Sequence, residues 1–347
     1  MRALAFALLL LGCPSTVPLD DDDATSDDDD ATPDRGPSPY ALDDLLQLPH
    51  VQAKGTHNSY HLEPDPVWSP SHRYSHAPLD VQLEEQGVRQ FELDLHYRSG
   101  VGFQIFHLPA IDGESTCLDL VDCLATIRGW SNANPWHLPI MIWIEPKDED
   151  ADSLDPELEL LSGKWDAFDQ ALIDGLGRDR IVTPDDVRGS HATLPEAIEG
   201  DGWPTLGTMR GKVLFAMLDG GDARDEYVQG RPNAQGRVLF PGSDSPDQPW
   251  AAMFKINNAA GEAARVADLV SRGFVVTSNA GSAEGGDDNP QHWADSLAAG
   301  ANFLSTDLPG EDPVEWFASI PGGTPARCNP VSAPPECVES ELEILGD

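Results

Sequence analysis

Phe91-Glu92-Leu93-Asp94-Leu95-His96 alternates apolar with polar residues at the period of a β-strand. The leucines then face one way, and Glu92 and Asp94 face the other together with His96, which has the same parity. Two carboxylates on one inward face repel each other unless a cation lies between them. The strand therefore carries a prediction of fold and of chemistry at once: a buried sheet with a charged site on it.

Similar β-rich runs recur on either side, at Val51–Gly55, Phe103–His107, Pro139–Glu145, Val213–Leu218, Met253–Ile256, Phe274–Ser278 and Asn302–Thr306, with the strand itself spanning Gln90–His96 and a shorter candidate at Ile181–Thr183. Amphipathic, helix-like stretches fall between several of them: Leu79–Gln86, Leu118–Trp130, Leu158–Leu176, Glu262–Arg272 and Pro290–Ala299. This alternation predicts parallel α/β architecture, and the number of strands suits a distorted (β/α)8 TIM-like barrel better than an open sheet. The barrel domain is expected over residues 40–318, with 219–250 a long loop over one mouth and 319–347 a Pro- and Cys-rich appendage. No glycine-rich nucleotide-binding signature follows a predicted strand.

The strands end in polar residues where continuous apolar runs are the rule for buried parallel sheets. His57-Asn58 follow the first, Glu92 and Asp94 lie in the second, and His107 and Glu145 end the third and fourth. The carboxyl ends of consecutive barrel strands converge on one mouth, so these residues are expected to share one site. Glu92, Asp94, Glu145 and the Asn58 amide make a hard-oxygen set that suits Ca2+ rather than zinc. His57 and His107, titrating near neutral pH beside that cation, suit acid–base work. Lys147 and Lys255 are candidates to hold a substrate phosphate or hydroxyl, the alternative being ion pairs to the acidic site. His50, His61, His72, His76, His137, His191 and His292 are given no role.

Composition narrows the function. Sixty acids against 21 bases leave a formal net charge of −39 over 347 residues, which excludes nucleic acid as a partner. An enzyme so charged needs a local cation to approach an anionic substrate. The chain starts with Arg2, an apolar run Ala3–Leu11, then Gly12-Cys13. That run is too short to span a bilayer and predicts a signal peptide over 1–13, with Leu10-Leu11-Gly12-Cys13 resembling a bacterial lipobox and Cys13 the lipidation site. Residues 14–39, with Asp20–Asp23 and Asp27–Asp30, read as a disordered acidic tether. The expected locale is outside the cytoplasm, lipid-anchored to the cell envelope or secreted, and a monomer is expected. In that compartment Cys117, Cys123, Cys328 and Cys337 are expected to form two local disulfides.

Gly55-Thr56-His57-Asn58-Ser59-Tyr60, Glu92-Leu93-Asp94, Phe106-His107 and Glu145, in that order, resemble the phosphatidylinositol-specific phospholipase C superfamily, and within it the calcium-dependent bacterial branch. Asn302-Phe303-Leu304-Ser305-Thr306-Asp307 looks like its closing barrel strand. The resemblance implies a phosphoinositide or related phosphodiester substrate, cleaved to diacylglycerol and a cyclic inositol phosphate. It implies that His57 stabilises the pentavalent phosphorane, that His107 protonates the departing diacylglycerol oxygen, and that Asn58, Glu92, Asp94 and Glu145 ligate calcium. Glu145 or Glu92 takes the hydroxyl proton in this scheme. The segment Leu108-Pro109-Ala110-Ile111-Asp112 departs from the Gly-His-Thr continuation of the eukaryotic enzymes. Two other readings stand beside this one. A glycerophosphodiester phosphodiesterase uses the same barrel but carries His-Arg-Gly where this chain has His57-Asn58-Ser59. A calcium-binding surface lipoprotein without activity needs neither histidine.

Overall fold

The structure is a computed structural model and describes residues 36–148, 155–310, 316–322 and 325–343. Cys13, the apolar run and both Asp tetrads lie outside them. Twelve strands belong to one sheet: β1 (Val51–Thr56), β2 (Val88–Arg98), β3 (Gly102–Ile105), β4 (Ile140–Pro146), β5 (Leu158–Glu159), β6 (Ile181–Val182), β7 (Val213–Met217), β8 (Leu239–Phe240), β9 (Met253–Lys255), β10 (Val275–Asn279), β11 (Phe303–Thr306) and β12 (Ala326–Cys328). The order β6-β7-β4-β2-β1-β11-β10-β9 is parallel throughout, and β8 pairs in parallel with β7. The last strand thus returns to lie beside the first, as a barrel requires. Among the described residues no ladder joins β8 to β9, so the barrel is distorted and incompletely bonded.

The register of β2 on β4 places Glu92 opposite Trp143 and Asp94 opposite Glu145, so these four share the inward face. Trp143 is fully buried, and its indole N–H donates to Thr277 Oγ1 on β10, 2.9 Å away across the interior. Phe91, Leu93 and Leu95 point outward and pack with Ile140, Ile142 and Ile144 against the helices Leu120–Ala133 and Trp165–Leu176. Alternation thus sorts β2 into a polar inner row and an apolar outer one.

Four expectations are corrected. Phe103–His107 is not a barrel strand: β3 runs antiparallel to β2, with Leu95 opposite Ile105 and Arg98 opposite Gly102. A parallel neighbour needs a crossover of a dozen or more residues, and the few residues available allow only a hairpin. The hairpin rises beyond the barrel and brings His107 back to the mouth. Leu158–Leu176 is not one helix: β5 pairs with the raised end of β2, and the helix begins at Trp165. The stretch 219–250 contains the helix Asp222–Tyr227 and β8 besides loop. The segment after 319 is no appendage in its described part: β12 pairs antiparallel with β1, and Glu343 is buried. Glu343 accepts hydrogen bonds from the Arg89 guanidinium and, at 2.7 Å, from Leu138 N–H, which ties the tail to the start of β2 and to the residues before β4.

The disulfides are the expected local pairs, Cys117–Cys123 and Cys328–Cys337. No helix among the described residues is long and apolar enough to cross a membrane. Because Arg89 is also buried, removing its partner strands a charge, at a cost of about 3–5 kcal/mol. We expect Glu343→Gln to lower the urea midpoint accordingly with the m-value unchanged. A midpoint equal to that of the parent would show that the tail lies outside the cooperative unit.

Candidate active site

The mouth is assembled from the turn after β1. At Gly55 the chain passes so close to β2 that an added Cβ would lie 2.9 Å from Gln90 Cβ, closer than real Cβ atoms approach, so a larger residue would push the strands apart. Asn58 then takes a positive φ of 43°, an uncommon conformation that asparagine tolerates better than most residues. Ser59 holds this turn to β2 twice: its N–H donates to Glu92 O at 2.9 Å, and its Oγ accepts from Glu92 N at 2.8 Å. The turn carrying His57 and Asn58 is therefore registered against Glu92 itself.

Glu92, Asp94 and Glu145 bring one oxygen each to within 4.8 Å of one another. Lys147 Nζ sits 2.7 Å from Glu145 Oε1 and 2.9 Å from Asp94 Oδ2, while Lys255 Nζ pairs with Glu92 Oε2. The two lysines thus balance the carboxylates, the alternative weighed above. Neither oxygen of the fully buried Asp94 accepts a well-aligned hydrogen bond, Lys147 included. Burial, reinforced by the Glu145 and Glu92 charges and opposed by Lys147, raises Asp94 to about 6. Glu92 goes the other way: burial acts against ionisation, but Lys255 and His57 outweigh it and hold the carboxyl below its usual range. A fully buried carboxylate beside two others, with a lysine as its counter-charge, fits a hard, oxygen-seeking divalent cation. Asn58 is also buried, and its side chain bonds to Tyr74.

Each predicted histidine has a carboxylate on Nδ1. His57 Nδ1 lies 2.9 Å from Asp307 Oδ1, and Asp307 Oδ2 accepts from Ala283 N–H. His57 Nε2 is 3.8 Å from Glu92 Oε1. Burial opposes the imidazolium, but the Asp307 hydrogen bond and the Glu92 and Asp307 charges prevail and raise His57 to about 9. His107 Nδ1 lies 2.6 Å from Asp112 Oδ2. Leu108 and Asp112 exchange backbone hydrogen bonds around Ala110 at φ 65°, a tight turn that folds Asp112 back onto His107. His96 has the parity of Glu92 but serves the scaffold: it stacks on Phe106 and its Nε2 lies 3.0 Å from Phe106 O.

Asp307 and Asp112 were missed as site residues. Asp307 had a readable signal, since it ends the strand that a closed barrel must place beside His57. Asp112 had none, because only the turn at Ala110 brings it round. His61 and His72, given no role above, also converge on Asp112.

The family model described as "Phosphoinositide phospholipase C, Ca2+-dependent" matches residues 46–102 and 98–330. The chain belongs to this family. The phospholipase C family is one of phosphoric diester hydrolases, and its cofactor is calcium, which agrees with the oxygen-only trio. Among solved structures, the chain resembles a calcium-dependent phosphatidylinositol-specific phospholipase C from Streptomyces antibioticus, with 21% identity over 76% of this chain and 95% of that one and a TM-score of 0.54. It also resembles a calcium-dependent phosphoinositol-specific phospholipase C from a Pseudomonas species in complex with myoinositol, with 17% identity over 83% and 97% and a TM-score of 0.57. At such identities these two establish the fold. No curated protein sequence matches the chain.

In the calcium-free phospholipase we expect the His57 ring to titrate near pH 9 in NMR spectra, and Asp307→Asn to bring it down toward 6.5. The sign follows from the raised value: the contribution to stability is present below pH 6.5 and lost as the pH climbs through 9. A His57 titration near 6.5 in the parent would contradict this assignment.

Proposed function

We propose that this phospholipase C cleaves phosphatidylinositol-type lipids by attack of the inositol 2-hydroxyl on phosphorus, releasing diacylglycerol and a cyclic inositol phosphate. The observation that carries the reading is the pair of His–carboxylate couples, His57–Asp307 and His107–Asp112, set about the trio of Glu92, Asp94 and Glu145. With Asn58, that trio would hold the calcium, which when bound lowers the pKa of the attacking hydroxyl and neutralises charge on the phosphoryl oxygens.

The protein's own groups do the rest. His57, kept protonated by Asp307 and Glu92, offers a positive N–H to the oxygens that gain charge in the phosphorane. His107 has its Nδ1–H taken by Asp112, so its Nε2 is the atom left to deliver a proton to the glycerol oxygen as the P–O bond breaks. Glu145, whose side chain is 31% exposed, is the member of the trio open to solution, whereas Glu92 is 2% exposed and held by Lys255. That favours Glu145 as acceptor of the hydroxyl proton. Lys147 and Lys255 lie at the same mouth and can exchange a carboxylate for a phosphate oxygen or inositol hydroxyl once calcium balances the acids.

Full-length protein incubated with phosphatidylinositol vesicles and calcium should give a cyclic inositol phosphate by phosphorus NMR, and none with a chelator. His57→Ala and His107→Ala should each lower kcat by about 10²–10⁴-fold. Undiminished calcium-dependent turnover in either variant would falsify the mechanism. Glycerol 3-phosphate from a glycerophosphodiester, with no inositol product, would favour the glycerophosphodiesterase reading.

The same proposal includes export and anchoring. A lipidated Cys13 followed by the acidic stretch to residue 39 would hold a monomeric barrel at the envelope, within reach of lipid. Cys13→Ala should move the protein from the membrane to the soluble fraction of cells without changing its rate on dispersed substrate. Retention in the membrane fraction would remove the anchor from the proposal.

A further inference from the structure

Behind His107 is a second set of ligating side chains that the carboxylate trio does not use. Asp112 is fully buried, and three imidazoles converge on it. His61 Nε2 lies 2.9 and 3.1 Å from its two oxygens, His107 Nδ1 lies 2.6 Å from Oδ2, and His72 Nδ1 lies 3.2 Å from Oδ2. One ligating atom each from His61, His107 and Asp112 fall within 4.8 Å of one another. The rings splay around the carboxylate, with centroids 5.0 Å apart for His72 and His107, 6.2 Å for His61 and His107, and 6.3 Å for His61 and His72.

The protons do not balance in this cluster without a positive centre. His61 Nδ1 faces the carbonyl oxygen of Tyr74 at 3.0 Å, an acceptor only, so Nδ1 carries a hydrogen. In a neutral ring Nε2 is then a lone pair, and it faces the Asp112 carboxylate. His72 Nδ1 is buried and makes no well-aligned hydrogen bond, although Asp112 Oδ2 is 3.2 Å away. The His61 Nε2 lone pair turned on a carboxylate requires either an additional proton or a metal ion between them.

The ligand chemistry selects the ion. Three imidazole nitrogens and a carboxylate suit Zn2+ and its d-block neighbours, whereas calcium prefers oxygen alone. Four ligands at 2.0–2.1 Å in a tetrahedron stand about 3.3 Å apart; the three nitrogens lie 2.6–3.2 Å from the Asp112 oxygens, His61, His107 and Asp112 already offer atoms within 4.8 Å of one another, and His72 has to swing inward to complete the set. The Nδ1–H of His61 on a backbone carbonyl is the outer hydrogen bond that orients metal-ligating histidines. The His72 and His107 side chains are 14% and 18% exposed, which leaves a path from solution.

We propose that His61, His72, His107 and Asp112 form a site for a d-block divalent cation, Zn2+ fitting best, and that its occupation stops the enzyme. The second part rests on the acid role given to His107. A metal on Nδ1 takes the place of the proton there. The neutral ring that remains holds its Nε2–H far more tightly than an imidazolium does, so the leaving oxygen goes without its proton.

Cobalt(II) alone, added to calcium-saturated full-length protein, reports the site by its visible spectrum. We expect one equivalent to give the intense absorption of tetrahedral Co2+, abolished by Zn2+. His72→Asn should weaken binding by about tenfold or more while calcium-dependent turnover stays within about twofold. Zn2+ should stop the parent in step with occupancy and require about tenfold more in His72→Asn. Only the weak spectrum of octahedral Co2+, as acidic side chains alone would give, overturns the site. So does binding that survives both His72→Asn and Asp112→Asn undiminished. A tetrahedral Co2+ with turnover unimpaired upholds the site and overturns instead the acid role of His107.

Discussion

Glu92, Asp94 and Glu145 repel one another, and the barrel is built to tolerate it. Two unit charges 4 Å apart in a protein environment interact by about 4 kcal/mol, so three such pairs rival the entire 5–15 kcal/mol by which a domain is stable. Positive charge has to be present. In the structure Lys147 and Lys255 provide it, one against Asp94 and Glu145 and the other against Glu92. Asp94, fully buried, still keeps a raised pKa. The same stress that would weaken the fold is what gives the site its affinity for a divalent ion, because an ion relieves repulsion as well as forming bonds.

Two His–carboxylate couples extend that logic outward. Asp307 and Asp112 each take the Nδ1 side of a histidine. They reach their partners by different routes. Asp307 directly follows β11, which lies beside β1 and its trailing His57. Asp112 and His107 belong to one tight turn at the end of the β2–β3 hairpin, which is hung above the barrel. One couple is thus fixed by closure of the sheet and the other by a local excursion from it. A metal held by His61, His72, His107 and Asp112 would act on the second couple alone.

Most of the barrel was legible because buried parallel strands must be apolar, and polar residues at their ends stand out. Glu92, Asp94 and Glu145 stand out this way, strand parity puts Glu92 and Asp94 on one face, and the register of β2 on β4 adds Glu145 to it. The misreadings share a cause. Phe103–His107 has the composition of a buried strand, but composition carries no direction, and only the few residues between it and β2 could have told that it turns back. Leu158–Leu176 mixed a short edge strand and a helix, which apolar periodicity does not separate at that length. The tail looked like an appendage because it is rich in Pro and Cys, and its anchor, Glu343, is one of several glutamates there and pairs with an arginine 254 residues away.

By itself, then, the sequence determined the alternating strand pattern, the oxygen-rich character of one barrel mouth with two histidines at it, and the local disulfide pairs. All of these follow from residue type and short spacing. Tertiary structure alone decided which carboxylate backs each histidine, which lysine balances which acid, and that His61 and His72 meet at Asp112. Those partnerships join residues whose spacing along the chain says nothing about their distance in space. Hydrogen bonds act over about 3 Å, so such contacts come into being only where folding has brought the groups together.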